Sequence, residues 1–235
     1  MRPSIATDSL IRHFQETTGS WRRIINDLST SFSSHDVVSF CASQSATRFI
    51  LTWMRELKAF QDTFGTLIRR HKRPPIADDF TAAVALTLDL FLAANGLPEH
   101  VHCERATHRR RGATRPDISV LSGSHLVATV ECKTDFGWKR KTWKADCETR
   151  SQDLKSTFPD CTTFLCVLMD KNFDATELIS SPLFNKEWYC LSRMPAARLS
   201  NPILDSDIFT PIEPMFISVL ECVKALAPGQ PTLLV

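Results

Sequence analysis

Two apolar segments joined by a short turn constrain the fold of this 235-residue chain more than any other feature. Residues 118–121 and 125–134 are rich in apolar and β-branched residues, and the turn between them is Ser122-Gly123-Ser124. Such a turn between two β-rich runs is typical of a hairpin. The segment therefore predicts an antiparallel hairpin, and helical patterns on both sides of it predict a mixed α/β fold.

The segments around the hairpin alternate between helical and extended patterns. Apolar residues recur every three or four positions over residues 43–70, which predicts an amphipathic helix, and residues 5–28 are also predicted to be helical. Acidic residues at 78 and 79 suit the start of another helix, which Gly96 ends. Further helices are predicted over 143–156 and 211–227, and further strands over 101–107, 162–169 and 187–192. From residue 76 the predicted order is helix, strand, strand, strand, helix, strand, strand, helix.

The pair Pro74-Pro75 marks the best internal boundary, because proline cannot continue a helix. We expect a helical N-terminal region over residues 1–75 and an α/β core over residues 76–235, as two lobes rather than two independent domains. Hydrophobic residues make up 43% of the chain and charged residues 23%, as in ordinary globular proteins.

No apolar run reaches the ~18–20 residues that a membrane span needs, so we expect no membrane association. Residues 1–10 lack the apolar stretch of a secretory signal. None of the eight cysteines forms the C-x-x-C spacing that is common in zinc sites, which favours reduced thiols and a cytoplasmic location.

Three charged residues at one end of the hairpin carry the chemical signal. Glu131 and Lys133 are two residues apart on a strand, so they share one face at about 6–7 Å. The turn folds the preceding strand back, which brings Asp117 to the same end. Two carboxylates can hold Mg²⁺, and a lysine beside them can position or deprotonate a water molecule or stabilise charge on a phosphoryl group.

The pattern Pro116-Asp117, thirteen intervening residues and Glu131-Cys132-Lys133 resembles the PD-(D/E)xK nuclease superfamily, most closely its type II restriction endonucleases. The resemblance covers residues 76–195. It implies a restriction-endonuclease-like mixed sheet flanked by helices, to which the N-terminal helical lobe is attached. It also implies Mg²⁺-dependent, site-specific double-strand cleavage of DNA by a homodimer. The resemblance does not extend to residues 1–73, and for these N-terminal helices we expect a role in the dimer interface or in the grip on DNA.

Members of that family often add an acidic residue from the helix before the hairpin and a polar residue from the helix after it. The matching acid here is Asp79, with Asp78 second and Asp89 third, although Asp78 and Asp79 equally suit a helix N-terminus. The matching polar residue is Gln152, for which a solvated helix face is the alternative. By the resemblance, Asp117, Glu131 and Asp79 would bind the metal, and Lys133 and Gln152 would complete the catalytic set.

Basic residues concentrate near the motif. Residues 69–155 hold 16 Lys and Arg against 11 Asp and Glu, whereas the net charge of the whole chain is only +2. Two basic runs flank the hairpin, where DNA phosphates would be held. The predicted DNA-binding residues are Arg109, Arg110, Arg111, Arg115, Lys139, Arg140, Lys141 and Lys144. Trp138 and Trp143 interleave with the second run and are expected to contact bases or sugars, unless Trp143 belongs to the core.

Two alternatives remain open at the sequence level. One is another nuclease role on the same fold, in phage defence, repair or junction resolution. The other is a non-catalytic DNA-binding or oligomeric helical protein, in which Glu131 and Lys133 form an ordinary surface ion pair of little energetic consequence.

Overall fold

A five-stranded sheet, with helices packed on both of its faces, organises the chain. The computed structural model describes residues 37–67, 76–97, 100–105, 115–135, 142–170 and 175–225, together with positions 26, 28, 32 and 107. The helices are α1 (Val37–Ser43), α2 (Ser45–Leu67), α3 (Ala77–Ala94), α4 (Trp143–Thr157), α5 (Ala175–Ile179) and α6 (Glu213–Ala225). The strands are β1 (Val101–Cys103), β2 (Ile118–Ser122), β3 (His125–Lys133), β4 (Thr162–Met169) and β5 (Trp188–Ser192).

The strands lie in the order β1-β2-β3-β4-β5, so the β2–β3 hairpin contributes the central strand. β1 to β3 pair antiparallel, whereas β3, β4 and β5 run parallel. Gly123 has a φ of +61° in the hairpin turn, a conformation that glycine adopts without steric cost. In this topology, the carboxyl ends of β3, β4 and β5 and the amino end of β2 meet at one end of the sheet.

The alternation of side chains along β4 divides the core into two layers. Phe164, Cys166 and Leu168 pack in the larger cluster, against α2, α3 and α6. Leu165 and Val167 point the other way, into a smaller cluster beneath α4 and α5. Because both faces are covered, the strand is apolar from Phe164 to Met169, as expected for a strand buried on both sides.

The N-terminal helices share the larger core with the α/β region. Ile50 and Met54 of α2 are fully buried in one cluster with Phe80 of α3 and Phe216 of α6. Side chains of the N-terminal region and of the sheet are therefore removed from water together, which is the main contribution to stability in such a core.

A buried carboxylate also joins the starts of two helices. Glu213, at the start of α6, is 0% exposed. Its Oε1 accepts a hydrogen bond from the backbone N–H of Thr47 at 2.9 Å, and its Oε2 accepts one from the Thr47 hydroxyl at 2.6 Å. The hydroxyl oxygen in turn accepts a hydrogen bond from the backbone N–H of Ile212 at 2.8 Å. Thr47, Ile212 and Glu213, hereafter the helix junction, satisfy orphan N–H groups at two helix starts.

From residue 76, every predicted helix and strand is present in the predicted succession, with one unpredicted helix, α5, between β4 and β5, and the mixed α/β class is confirmed. Three details of the prediction are wrong. Helices α1 and α5 were not expected, because neither is long enough to show an apolar repeat, and β1 ends at Cys103 rather than at residue 107. The helical prediction for residues 5–28 lies almost entirely outside the described residues, as does the end of the helix predicted to reach residue 70. Among the described residues, no helix combines the length and apolarity needed to cross a membrane.

Candidate active site

The register of the hairpin places Asp117 beside Glu131. Ile118 of β2 pairs with Val130 of β3, so the next pair of residues toward this end of the hairpin is Asp117 and Glu131. Residues opposite each other in an antiparallel pair project toward the same face. Asp117 is fixed further because its Oδ2 accepts a hydrogen bond from the backbone N–H of Cys132 at 2.7 Å. Two carboxylates thus converge at the end of the central strand, as the sequence predicted.

The ammonium group of Lys133 lies among three oxygen atoms. Its Nζ donates to Asp117 Oδ2 at 2.9 Å, to Glu131 Oε2 at 3.1 Å and to the backbone carbonyl of Cys132 at 3.2 Å. The side chains of Asp117 and Lys133 are 29% and 30% exposed, and that of Glu131 is 13% exposed. The three side chains therefore lie where solvent or a ligand can reach two of them directly.

Opposing effects act on the pKa of Lys133. Burial alone would lower it, but the carboxylates of Glu131 and Asp117 more than offset burial and raise the pKa above its ordinary value of 10.5. Lys133 is therefore a charged hydrogen-bond donor in this arrangement. That state suits positioning a water molecule or stabilising negative charge.

Glu131 has a second cationic partner, which the sequence did not indicate. Arg150 of α4 donates from its guanidinium to Glu131 Oε2 at 2.7 Å, and its side chain is 50% exposed. The other oxygen, Glu131 Oε1, is buried and accepts no hydrogen bond from the described part of the chain. Asp117, Glu131, Lys133 and Arg150 are called the strand-end cluster below.

A cleft opens beside the cluster, between α4 and the sheet. It encloses about 580 Å³, including its solvent-filled mouth. Its lining combines apolar residues with short polar ones. The apolar residues are Trp143, Leu154, Phe164, Leu165 and Trp188, and the short polar ones are Thr129, Asp146, Cys147, Ser151 and Thr163, with Glu131, Lys133 and Arg150 also lining it.

The geometry of α4 explains why Arg150, and not Gln152, reaches the site. Trp143, Cys147, Arg150 and Leu154 are spaced by four, three and four residues, which places them on one helix face. Gln152 lies two residues beyond Arg150, so it projects about 200° around the helix from it. It is exposed and does not line the cleft. The structure therefore favours the alternative of a solvated helix face for Gln152.

Burial also sets the character of Cys147 within the cleft. Burial, reinforced by the Glu131 carboxylate, raises the pKa of the Cys147 thiol to about 11. The thiol is therefore protonated near neutral pH and contributes a compact, weakly polar wall rather than a nucleophile.

The third acidic ligand is not supported by the structure. Asp79 lies half-buried in the first turn of α3, where burial and the neighbouring Asp78 raise its pKa. The described residues include no group of three or more His, Cys, Asp or Glu side chains close enough to share a metal ion. Asp79, Asp78 and Asp89 therefore do not join Asp117 and Glu131 in such a group. The acids at 78 and 79 lie in the first turn of α3, where the helix dipole favours negative charge.

The predicted DNA-binding residues divide into two sets. Arg115 is exposed two residues before Asp117, and Lys144 is half-buried in the first turn of α4. The basic runs at 109–111 and 139–141 lie outside the described residues, as does Trp138. Trp143 is only 2% exposed and packs with Trp188 at a ring-centroid distance of 5.4 Å, so it belongs to the core.

The donor set fits a small divalent cation. The oxygens of Asp117, Glu131 and Cys132 that surround Lys133 Nζ are all hard ligands of the type that Mg²⁺ prefers. Mg²⁺ usually takes only one or two protein carboxylates and keeps several waters, so two acids suffice. A buried carboxylate oxygen without a donor is costly, and a cation at Glu131 Oε1 would remove that cost.

Comparison of the chain with protein-family models and with curated proteins gave no match. The function is therefore inferred from the strand-end cluster and its surroundings.

Proposed function

We propose that this protein is a Mg²⁺-dependent endonuclease of the PD-(D/E)xK type, with a restriction-endonuclease-like fold, that hydrolyses DNA phosphodiester bonds. The best-supported biological role is site-specific double-strand cleavage, as in type II restriction. The observation that carries the proposal is the convergence of Asp117, Glu131 and the Cys132 carbonyl on the ammonium group of Lys133.

The surroundings of this convergence also support the proposal. The cluster lies at the end of the central strand of a mixed sheet, beside an open cleft. Both carboxylates are held in place by the chain itself, Asp117 through the Cys132 N–H and Glu131 through Arg150. A preorganised arrangement of this kind avoids reorganisation during the reaction.

Each residue of the cluster has a distinct part in the proposed reaction. Asp117 and Glu131 hold the cation, which when bound polarises the phosphoryl oxygen and stabilises charge on the leaving oxygen. Lys133, charged and pointing into the same space, orients the attacking water and donates to the developing phosphorane. The apolar walls of Trp143, Leu154 and Trp188 limit the access of bulk water on the side of α4.

The distribution of charge supports a nucleic-acid substrate. Arg150 and Arg115 are exposed near the cluster, and the runs at 109–111 and 139–141 flank it in sequence. Cutting both strands of a duplex at once with one site per chain takes two copies, so we propose that the active form is a homodimer.

Plasmid cleavage tests the proposal. The purified full chain is incubated with unmethylated supercoiled plasmid in Mg²⁺ or in EDTA, and the ends of the products are sequenced. We expect cleavage only with Mg²⁺, and a loss of at least about 100-fold in Asp117→Asn and Lys133→Ala, which each remove a group that acts on the reacting atoms.

Two matched variants control for nonspecific effects. Asp160→Asn makes the same change at an exposed residue near the opposite end of the sheet, and Lys155→Ala removes a lysine from α4 that pairs with Glu187. Both are expected to cleave like the wild type. A wild type that leaves DNA intact, or Asp117→Asn and Lys133→Ala variants as active as their controls, would refute the proposal.

The product ends separate the nuclease roles. Cuts at one fixed palindromic sequence support restriction, and sedimentation of a dimer supports its two-strand mechanism. Cleavage confined to branched or damaged DNA, or cleavage without sequence preference, would instead assign the same chemistry to repair, junction resolution or phage defence.

A further inference from the structure

Arg150 is the one member of the strand-end cluster that comes from a different layer of the fold. Asp117, Glu131 and Lys133 belong to the hairpin or directly precede it, whereas Arg150 projects from α4 and lines the cleft. The described contacts give its guanidinium one acceptor, Glu131 Oε2. Half of the side chain remains exposed.

Charge within the cluster is balanced as it stands. Two carboxylates face two cations at distances between 2.7 and 3.1 Å. A divalent cation that entered this group would be repelled by both Lys133 and Arg150. Withdrawal of one of the two would therefore strengthen cation binding.

The contacts indicate which of them withdraws. Lys133 Nζ has three oxygen acceptors and is attached to the same strand as Glu131. Arg150 has one described acceptor, is half-exposed and is carried on a long flexible side chain. Arg150 is therefore the more weakly held of the two.

We propose that Arg150 is an exchangeable charge at this site: without substrate it neutralises Glu131 and opposes cation binding, and with substrate it moves to a phosphate oxygen. This inference rests on the proposed function for the identity of the substrate. The planar guanidinium favours such an exchange, because its five N–H donors match a phosphate as well as a carboxylate.

The proposal separates two measurable effects of Arg150→Ala that a merely structural role would not separate. Cation affinity without substrate should rise, since a cation that binds Glu131 no longer has to displace the guanidinium of Arg150. Cleavage at saturating Mg²⁺ should fall, since a phosphate contact is lost. Loss of structure would lower both quantities together.

Terbium luminescence measures the first effect without any substrate or activity. Tb³⁺ favours oxygen ligands, and Trp143 lines the same cleft as Glu131, so tryptophan excitation reports an ion bound there. We expect Arg150→Ala to bind Tb³⁺ about fivefold more tightly than the wild type, the scale of a partly exposed ion pair. Glu131→Gln should abolish the site-specific signal, and Lys155→Ala, which removes a charge elsewhere on α4, should leave the affinity unchanged.

Plasmid cleavage measures the second effect. Arg150→Ala should cut roughly 10-fold to 100-fold more slowly at saturating Mg²⁺, with half-maximal activity reached at a lower Mg²⁺ concentration than in the wild type. Arg150→Lys keeps the positive charge but lacks the planar guanidinium with its paired N–H donors. It should therefore have the cation affinity of the wild type but only part of the wild-type cleavage rate.

Two results would overturn the inference. One is an Arg150→Ala variant that binds Tb³⁺ no more tightly than Lys155→Ala, and the other is an Arg150→Ala variant that cleaves at the wild-type rate in saturating Mg²⁺. Failure of the proposed function looks different, because then the wild type cleaves nothing or Asp117→Asn retains full activity. In that case the phosphate contact is excluded as well, and the Tb³⁺ titration alone decides whether Arg150 opposes the cation.

Discussion

Two buried or nearly buried glutamates of this protein have opposite surroundings. Glu213, in the helix junction, is 0% exposed, and both of its oxygens accept hydrogen bonds from Thr47. Glu131, in the strand-end cluster, has two cations on one oxygen and no described donor on the other. The first carboxylate is satisfied by neutral groups of the fold, whereas the second, on a residue that lines a cleft, keeps one buried oxygen without a described donor.

The difference indicates how structural and functional carboxylates can be distinguished. A buried charge that is fully hydrogen-bonded is accounted for by the fold itself, because each acceptor has a donor. A buried oxygen without a donor costs free energy unless a ligand completes it. The same substitution at the two glutamates should therefore affect different properties of the protein.

The largest expected effect is at Glu131. Glu131→Gln should reduce plasmid cleavage by at least about 100-fold, because it removes the charge on a proposed cation ligand. The melting temperature should stay close to that of the wild type, since the amide keeps the shape of the side chain. The comparison between the two glutamates would fail if Glu131→Gln unfolded the protein and Glu213→Gln abolished cleavage in a folded one.

The next effect concerns stability at the helix junction. Glu213→Ala should lower the free energy of unfolding by roughly 2–4 kcal/mol, because it leaves the N–H and hydroxyl of Thr47 without acceptors and opens a cavity. Urea denaturation followed by circular dichroism measures it. The folded fraction should still cleave DNA. If the cleavage rate per folded molecule falls far below the wild-type rate, Glu213 contributes to the reaction as well as to stability.

Thr47→Val tests the same junction from the other helix with a smaller change. The substitution keeps the shape of the side chain but removes the hydroxyl that bonds Glu213 and the N–H of Ile212. We expect a loss of about 1–2 kcal/mol in urea denaturation, since two buried partners lose one hydrogen bond each. An unchanged unfolding midpoint would show that these bonds do not hold the two helices together.

Glu213 should also give the stability a distinctive pH dependence. Burial raises its pKa above the ordinary value of 4.5, although the hydrogen bonds from Thr47 act in the opposite direction. Between 4.5 and the raised pKa, the folded state holds a proton that the unfolded state has lost, so the stabilisation present below pH 4.5 is lost as the pH rises.

The measurement compares wild type with Glu213→Gln, which cannot titrate. The free energy of unfolding of the wild type should fall relative to that of the variant as the pH rises above 4.5. The nearby Cys41 does not interfere, because burial and Glu213 raise its pKa above 9.0, outside this window. A difference between the two proteins that stays constant or grows with pH would contradict the prediction.

The smallest effect is expected at Gln152. Gln152→Ala should change cleavage by less than about twofold and stability by no more than about 0.5 kcal/mol, as for an exposed helical residue. Placed beside Arg150→Ala in the same plasmid assay, it tests whether one face of α4 serves the site. A large loss of activity in Gln152→Ala would support the catalytic role predicted from the sequence, and it would contradict the interpretation of Gln152 as a solvated surface residue.

The sequence by itself determined the hairpin, the succession of the five strands and the longer helices from residue 76, and the convergence of Asp117, Glu131 and Lys133. These features are local, because a tight turn and the two-residue period of strands fix which residues meet.

The tertiary structure alone decided which side of α4 faces the sheet, and hence that Arg150 and not Gln152 joins the cluster. It also left Asp79 outside any described group of three metal ligands with Asp117 and Glu131, and it buried Trp143 in the core. The bond between Thr47 and Glu213 spans 166 residues along the chain. No local pattern encodes such contacts, because they follow from how helices pack on the sheet to remove apolar surface from water.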